Sequence, residues 1–294
     1  MFKRVFLFIA TNLLVIAAIS IILSVLGIGN YITEAGIDYR ALMVFCLVWG
    51  MVGSFISLAI SRWMAKKAMG VELIDPKAGG HYQWLVDTTY KICRDAKLPA
   101  MPEVGVYNSP DINAFATGPS KSKSLVAFST GLLNFMGKDE IEGVIAHEVA
   151  HIKNGDMVTM TLIQGVINAF VMFLSRAIAF AISQNVKDDI KHIVHFVTII
   201  VLQILFGFLG MIVVAGFSRK REFRADKGSA KLVGKDKMIA ALEALKKVKG
   251  KFEADEKQEA VACLQISNNA KKKSFRSLFS THPDLDVRIQ ALMR

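Results

Sequence analysis

The most informative stretch of this sequence is the run His147-Glu148-Val149-Ala150-His151, which has the pattern His-Glu-x-x-His. Residues four apart lie on one face of an α-helix, so both imidazoles can bind one metal ion. The glutamate between them then lies close enough to the open coordination position to accept a proton from water. The spacing predicts one catalytic Zn²⁺ per subunit, held by His147 and His151, with Glu148 as general base. The competing interpretation is a chance match on an ordinary amphipathic helix.

The residues around this run indicate the helix that it needs. Asp139 and Glu140 stand in the first turn, where the helix dipole favours negative charge. Asn154 and Gly155 supply a stop signal. An apolar face for packing is provided by residues at helical spacing: Ile141, Val144, Ile145 and Val149.

The composition indicates a membrane protein. The chain has 294 residues, 53% of them hydrophobic, and a mean hydropathy of +0.40, which is too apolar for an ordinary soluble enzyme. A net charge of +11 suits either nucleic acid or an anionic membrane surface. We favour the membrane and expect no nucleic-acid partner, because the basic residues cluster beside the apolar runs. Cys46, Cys93 and Cys263 form no C-x-x-C pair, which indicates reduced thiols in a reducing compartment.

Four uncharged segments are long enough to cross a lipid bilayer, and each is predicted to be a transmembrane helix. They lie at about residues 5–26, 41–60, 157–175 and 196–217. The third is expected to end before Arg176, so that this side chain reaches water at the far face. For the third and fourth segments, a hydrophobic hairpin that does not fully span remains the alternative.

Basic residues are concentrated at one end of these spans. Lys3 and Arg4 precede the first span, and Arg62 and Lys66 follow the second. The run 219–221 follows the fourth. By the positive-inside rule, both termini and the soluble parts are predicted to be cytoplasmic.

The predicted fold is mainly α with a small antiparallel β-sheet, in a multi-span membrane protein with a cytoplasmic zincin-like metalloprotease domain. Residues 1–70 are expected to form an N-terminal transmembrane hairpin and 157–217 a second one. Residues 71–156 and 218–294 are expected to form the two parts of the catalytic domain.

The small sheet is expected between the two hairpins. Its strands are predicted at residues 103–107, 112–116 and 125–128. A strand beside a protease site can bind an extended peptide by adding it to the sheet edge. For the strand that contains Asn113, Ala114 and Phe115, this role and plain packing are both compatible with the spacing.

A catalytic zinc ion needs a third protein ligand and one open position. The candidates are the remaining histidines and the carboxylates. The predicted topology places His192 and His195 across the membrane, which excludes them. Glu222 follows the fourth span with Asp226 one turn later, so Glu222 can bind the ion while Asp226 orients a ligand imidazole. The alternative is a solvated charged face beside the neighbouring arginines.

Two further motifs accompany the first one. They are Arg221-Glu222-Phe223-Arg224-Ala225-Asp226, and Thr281-His282-Pro283 followed by Arg288-Ile289. Together the three motifs resemble the HtpX membrane metalloproteases, which are gluzincins related to the CAAX prenyl endopeptidases. The resemblance extends to the paired N-terminal spans, to residues 111–118 and to residues 154–161, so it covers nearly the whole chain.

This resemblance implies roles for particular residues. Zinc would be held by His147, His151 and Glu222, with Glu148 as the base and Asp226 behind a ligand histidine. It also implies a peptide-bond hydrolase of the bacterial inner membrane that degrades damaged membrane proteins as part of stress response and quality control.

The resemblance also concerns residues farther from the metal ligands. His282 would stabilise the reacting carbonyl oxygen or plug the open position, with Arg288 beside it. Capping of the final helix is the alternative for His282. The strand at 113–115 becomes the expected substrate-binding edge.

The position of the motifs along the chain favours substrates in or near the membrane. His151 lies six residues before Met157, and Glu222 five after Phe217. At about 1.5 Å per residue, the metal is therefore expected within roughly 10 Å of the lipid. Two rival functions fit the sequence less well. A scaffold or metal sensor would normally hold zinc with four protein ligands, and a transporter would need ionisable groups inside its spans.

Overall fold

The computed structural model describes residues 17, 19–25, 31–33, 36–77, 79–261 and 280–294, and for 249–261 only the backbone. The chain divides into two compact units. Unit 1 comprises Met1–Ala59 and Thr159–Val214, and unit 2 comprises Ile60–Val158 and Ala215–Arg294. Each unit is therefore assembled from two stretches that are distant in sequence.

Most of the described residues are helical. The helices are α1 Tyr39–Met69, α2 Gln83–Asp95, α3 Thr130–Phe135, α4 Lys138–Asn154, α5 Asp156–Ser183, α6 Asp188–Val233, α7 Lys235–Val261 and α8 Leu285–Met293. The strands are β1 Ile32–Thr33, β2 Gly36–Ile37, β3 Glu72–Leu73, β4 Glu103–Tyr107, β5 Ala114–Ser120 and β6 Lys123–Ser129. The predicted class, mainly α with a small sheet, is confirmed.

Three helices of the described part are long and apolar enough to cross a membrane: α1, α5 and α6. They contain the second, third and fourth predicted apolar segments. The first predicted segment, 5–26, falls mostly outside the described residues; within it, residues 17 and 19–25 are helical.

Helix α5 continues past Arg176 to Ser183, so it is longer than the span predicted for residues 157–175. Residues 177–183 contain no proline or glycine that could break the helix. The guanidinium of Arg176 lies over the ring of Phe45, 5.5 Å from the centroid, and Nη1 donates to the carbonyl of Met172 at 3.4 Å. A cation–π contact and a helix carbonyl thus accompany this charge within the helix.

The sheet in unit 2 is mixed, which corrects the prediction of an antiparallel one. Its strand order is β3-β4-β6-β5. The pairs β3–β4 and β5–β6 are antiparallel, whereas β4 and β6 run parallel from Glu103↔Leu125 to Tyr107↔Ser129. The tight turn between β5 and β6 returns the chain beside β4 in the same direction as β4. Within the described residues, β5 therefore forms one edge of this sheet.

Helix α4 carries the His-Glu-x-x-His run and has defined ends. At its start, the Glu140 carboxylate accepts a hydrogen bond from the backbone N–H of Gly137 at 2.9 Å. At its end, Gly155 adopts the left-handed conformation with φ 71°, which favours glycine and terminates the helix. The predicted helix and its stop signal are both confirmed. Its buried apolar residues join the main core of unit 2, which includes residues of α2, β4, β6 and α7.

A glycine allows α4 and α7 to approach closely. A Cβ added at Gly143 would lie 2.5 Å from the carbonyl oxygen of Lys237 and 3.1 Å from the Cβ of Ala241. Ser229 of α6 donates to the carbonyl oxygen of Gly143 at 3.0 Å, so the same point also joins a third helix. The position of the metal helix thus depends on the absence of a side chain at residue 143.

We expect Gly143→Ala to lower the thermal unfolding midpoint of the purified protein in detergent, because the added methyl group forces backbone to move at a cost of about 1–3 kcal/mol. The matched control is Gly216→Ala, since a Cβ there meets only a flexible arginine end at 3.9 Å. Equal midpoints for the two variants would contradict the packing described for α4.

Candidate metal centre

Three buried side chains from two helices converge on one point. They are His147 and His151 of α4 and Glu222 of α6. The two Nε2 atoms lie 3.1 Å apart. Glu222 places Oε2 3.5 Å from Nε2 of His147 and Oε1 3.4 Å from Nε2 of His151. Among the described residues, this is the one group of three that could hold a metal ion.

These separations suit a tetrahedral ion. Zinc binds imidazole nitrogen and carboxylate oxygen at about 2.0–2.2 Å, so the edges of its tetrahedron measure roughly 3.3–3.5 Å. The two Nε2 atoms are 3.1 Å apart, close to that length, and each lies 3.4–3.5 Å from one oxygen of the Glu222 carboxylate, Oε2 for His147 and Oε1 for His151. One donor atom from each of the three residues lies within 4.8 Å of the other two. Two nitrogen donors and one oxygen donor are also a ligand set that zinc accepts with a fourth position open. The residues present therefore fit the metal.

Each ligand imidazole has a carboxylate behind it. Nδ1 of His151 lies 2.7 Å from Oδ2 of Asp156, and Nδ1 of His147 lies 2.9 Å from Oδ1 of Asp226, with poorer alignment. A proton on Nδ1 that faces a carboxylate leaves the lone pair of Nε2 free for a metal. The two carboxylates thus turn both rings toward the point where the donors meet.

Each of these carboxylates contacts an arginine in turn. Arg288 of α8 binds Asp226 through two hydrogen bonds, Nε to Oδ2 at 2.8 Å and Nη2 to Oδ1 at 2.6 Å. Arg224 of α6 pairs with Asp156. The bidentate pair fixes Asp226 in orientation as well as position.

The acidic surroundings favour positive charge on both imidazoles. Burial lowers the pKa of His151, but hydrogen bonds to Asp156 and Glu222 outweigh burial and raise it to about 9. The pKa of His147 is raised in the same sense, because contacts with Asp226 and Glu222 outweigh burial. Surroundings that favour protons on both imidazoles also favour a metal cation that replaces those protons on Nε2.

Of the other residues considered for the site, two lie at or near the cluster and two do not. His282 lies beside the cluster, with Nδ1 2.9 Å from Oε2 of Glu222. Its alternative role as a helix cap is wrong, because Asp284 caps α8 by accepting from the backbone N–H of Asp286. Glu148 is half-buried on α4. His192 and His195 do not belong to the cluster.

The strand predicted at residues 112–116 begins at Ala114, so it contains Ala114 and Phe115 but not Asn113. Asn113 precedes β5, and its backbone is held by Ser129, which donates N–H to the Asn113 carbonyl at 2.9 Å. The ring of Phe115 packs on that of Tyr107 with centroids 5.7 Å apart. Strand β5 contacts helix α4, which carries His147 and His151. The edge of the sheet that β5 forms therefore lies beside the site.

One residue of the site escaped the sequence analysis. Asp156 stood in a segment that resembles the protease family, but its spacing from His151 gave it no role. The available signal was an acid at the first position of a helix, five residues after a ligand histidine. Its burial, with 1% of its surface exposed, separates it from ordinary helix-start acids.

Comparison with known proteins agrees with this geometry. The sequence model of "Peptidase family M48" matches residues 81–294. "Protease HtpX homolog" of Bacillus subtilis (strain 168) is 57% identical over 300 residues, which covers 99% of this chain and 99% of that protein. "Protease HtpX" of Pasteurella multocida (strain Pm70) is 49% identical over 291 residues, which covers 99% and 98%.

A solved structure shares the fold. The crystal structure of Ste24p from S. mikatae superposes with a TM-score of 0.64 at 18% identity and covers 99% of this chain. This chain spans 64% of that longer protein. Because the identity is only 18%, the likeness concerns the fold alone. The match over residues 81–294 and the end-to-end similarity to HtpX proteases lead to one conclusion: this chain belongs to peptidase family M48 and is a membrane metalloprotease of the HtpX family.

Proposed function

We propose that this protein is a zinc endopeptidase that hydrolyses misfolded or damaged membrane proteins at the cytoplasmic membrane surface. His147, His151 and Glu222 would hold the zinc ion. The observation that carries the proposal is the convergence of three buried donors: the two Nε2 atoms lie 3.1 Å apart, and the Glu222 carboxylate faces both of them at 3.4–3.5 Å. Three protein ligands leave one position for water or substrate, which is the arrangement of a catalytic site and not of a structural one.

Bound zinc would supply a Lewis acid that activates water and polarises the scissile carbonyl group. Glu148 is positioned by α4 between the two ligand histidines and accepts the proton of the attacking water. It then delivers that proton to the amine that leaves when the C–N bond breaks. Asp156 and Asp226 keep the imidazoles turned toward the ion throughout, because each faces an Nδ1 atom.

His282 is proposed to act at the reacting carbonyl group, and Arg288 to position the carboxylates beside it. His282 is exposed and lies 2.9 Å from a ligand oxygen, so its ring can stabilise the developing negative charge or occupy the open position before substrate arrives. Arg288 is buried, holds Asp226 and lies 3.7 Å from Oε2 of Glu222. Its role is to position carboxylates, since it has little surface exposed to a substrate.

The β5 edge is the proposed binding site for an extended substrate. Edge strands present unpaired backbone groups that a peptide can meet with hydrogen bonds. Asn113, Ala114 and Phe115 stand where β5 begins, and β5 contacts α4. A peptide added there would pass beside the metal helix.

The long helices support substrates near the lipid. Helix α6 is continuous from its apolar part to Glu222, which lies five residues after Phe217, or roughly 7.5 Å along the axis. We propose that the hairpins 1–70 and 157–217 anchor the protein in the bacterial inner membrane. The parts 71–156 and 218–294 then form the catalytic domain, and both termini are cytoplasmic.

Glu148→Gln should abolish cleavage of an unfolded membrane protein by the purified, zinc-loaded enzyme, because loss of a general base costs about 10²–10⁴ in rate. Zinc content, measured by atomic absorption, should stay at one ion per chain. Asp139→Asn is the control, since that carboxylate lies on the same helix with its side chain 78% exposed. Undiminished cleavage by the Gln variant would exclude Glu148 as the base.

Asp156→Ala should weaken zinc binding by about 10–100-fold, because the carboxylate behind His151 no longer orients the ring. Competition with a chromogenic chelator measures the affinity without reference to catalysis. Asp156→Asn should lie between this variant and the unaltered protein, and Asp139→Ala should match the latter. If Asp156→Ala binds zinc as tightly as the unaltered protein, the carboxylate has no part in orienting His151.

The proposed orientation is tested by labelling single cysteines with a membrane-impermeant maleimide. Lys187→Cys lies between α5 and α6 and should react in intact spheroplasts, whereas Lys121→Cys in the turn before β6 should react only after lysis. Both residues are exposed, and Cys263→Ser removes a native thiol from the background. Labelling of Lys121→Cys in intact spheroplasts would reverse the orientation.

A further inference from the structure

The spanning helices of unit 1 enclose a groove that is polar for a membrane segment. It consists of two adjoining cavities of about 420 and 390 Å³, which share Trp49, Gly50, Gln164 and Asn168 in their walls. Helices α1 and α5 line both cavities, and α6 adds Gln203, Gly207 and Gly210 to the second. We call this feature the amide groove.

The amide groove contains hydrogen-bonding groups that the described residues leave unsatisfied. Gln164 and Asn168 stand one turn apart on α5 with exposed side chains, and Nε2 of Gln164 donates to Oδ1 of Asn168 at 2.8 Å. This single bond leaves the Gln164 carbonyl and the Asn168 amino group without a partner in the described part of the chain. Nε1 of Trp49 is inaccessible to solvent and also has no hydrogen-bond partner there.

These groups lie deep within the apolar helices. Gln164 and Asn168 are 8 and 12 residues after the first residue of α5, or about 12 and 18 Å along its axis. The hydrocarbon core of a bilayer is about 30 Å thick, so the two amides are placed near its middle. An amide that faces lipid tails without a partner is unfavourable, because lipid supplies neither donors nor acceptors. The groove is therefore suited to an occupant that brings hydrogen-bonding groups into the membrane.

The groove also has room for a helix to approach closely. A Cβ at Gly207 would meet no atom within 4 Å, so the α6 wall is open there. On α1, the groove is lined by the small residues Gly53, Ser54 and Ser57. Small residues on a membrane helix let a neighbouring helix come near enough for hydrogen bonds between side chains.

We propose that the amide groove binds a transmembrane segment of the substrate that carries an uncharged polar side chain, such as Asn or Gln, within its span. Among the described residues that line the groove there is no Asp, Glu, Lys or Arg, so no counter-ion is offered to a charged group. The amides of Gln164 and Asn168 offer both a donor and an acceptor to a neutral amide.

This inference rests on the proposed function and gives its substrate class a physical criterion. In a folded membrane protein, polar side chains within the spans face one another inside the bundle. In a misfolded or unassembled protein, the same side chains lack partners. A groove that offers amides at mid-membrane depth would therefore favour unassembled spans over folded ones.

The test measures binding of single-span peptides to the full-length Glu148→Gln protein in lipid nanodiscs. One peptide is a leucine-alanine span with Asn at its centre, and the other has Leu there. We expect the Asn peptide to bind about 3–15-fold more tightly, the range that single interhelical hydrogen bonds give in membranes. The Gln164→Leu/Asn168→Leu double variant should bind both peptides equally. Thr198→Val is the matched control for loss of a polar group from a spanning helix outside the groove lining, and should keep the preference.

Two results would overturn the proposal. The first is equal affinity of the Glu148→Gln protein for both peptides, or a preference that survives in the double variant. The second comes from a photo-crosslinking residue at Met211, which lines the groove. An adduct with residues 5–26 of the same chain or with a second copy, undiminished by excess Asn peptide, would mean that another helix fills it.

A second variant guards against misfolding of the double variant, and a separate cleavage assay tests the proposed protease activity. If the double variant does not give a monodisperse protein, Asn168→Leu alone should reduce the preference. Because binding is measured without catalysis, absence of cleavage of a soluble unstructured peptide by the unaltered zinc-loaded protein would refute the endopeptidase proposal and leave the binding result standing.

Discussion

The metal centre depends on charge compensation among groups that are almost completely buried. Glu222, Asp226 and Asp156 each expose only 1% of their surface. An ionised carboxylate in such a place is strongly destabilising unless opposite charge or hydrogen-bond donors surround it. Two imidazoles, Arg288 and Arg224 provide both. Since these partners come from α4, α6 and α8, the packing of these helices against one another is what allows the carboxylates to be buried.

The groups that compensate one another stand at the junction of two helices and along one face of a third. Glu222 and Asp226 stand four residues apart on α6, so one face of this helix presents both a donor and the carboxylate behind the other ligand. Asp156 is the first residue of α5, directly after the glycine that ends α4. The chain thus uses the first turn of one apolar helix and the last turns of another to hold the two ligand rings.

Local spacing was sufficient for part of this site and insufficient for the rest. The ligands of α4 and their glutamate are readable because i and i+4 share a face whatever the remaining fold. Glu222 became a candidate only through the predicted topology, which returned the chain to the same side. Asp156 could not be recognised as a ring-orienting group, because its burial and its partner Arg224, 68 residues later, depend on tertiary packing. The parallel pairing of β4 with β6 was missed for the same reason: strand direction is set by the turn after β5, and periodicity does not report it.

One rule, that a polar group away from water needs a partner, is met differently in the two units. In unit 2 the carboxylates and imidazoles of the metal centre are joined to one another, so the rings are fixed and the Nε2 lone pairs converge. In unit 1 the amides of Gln164 and Asn168 satisfy each other only in part. A densely connected network favours rigidity and pre-organised catalysis, whereas amides with unused donors and acceptors favour association. For the proposed hydrolysis of membrane proteins, the first suits the cleavage of a peptide bond and the second suits the selection of a membrane-spanning segment.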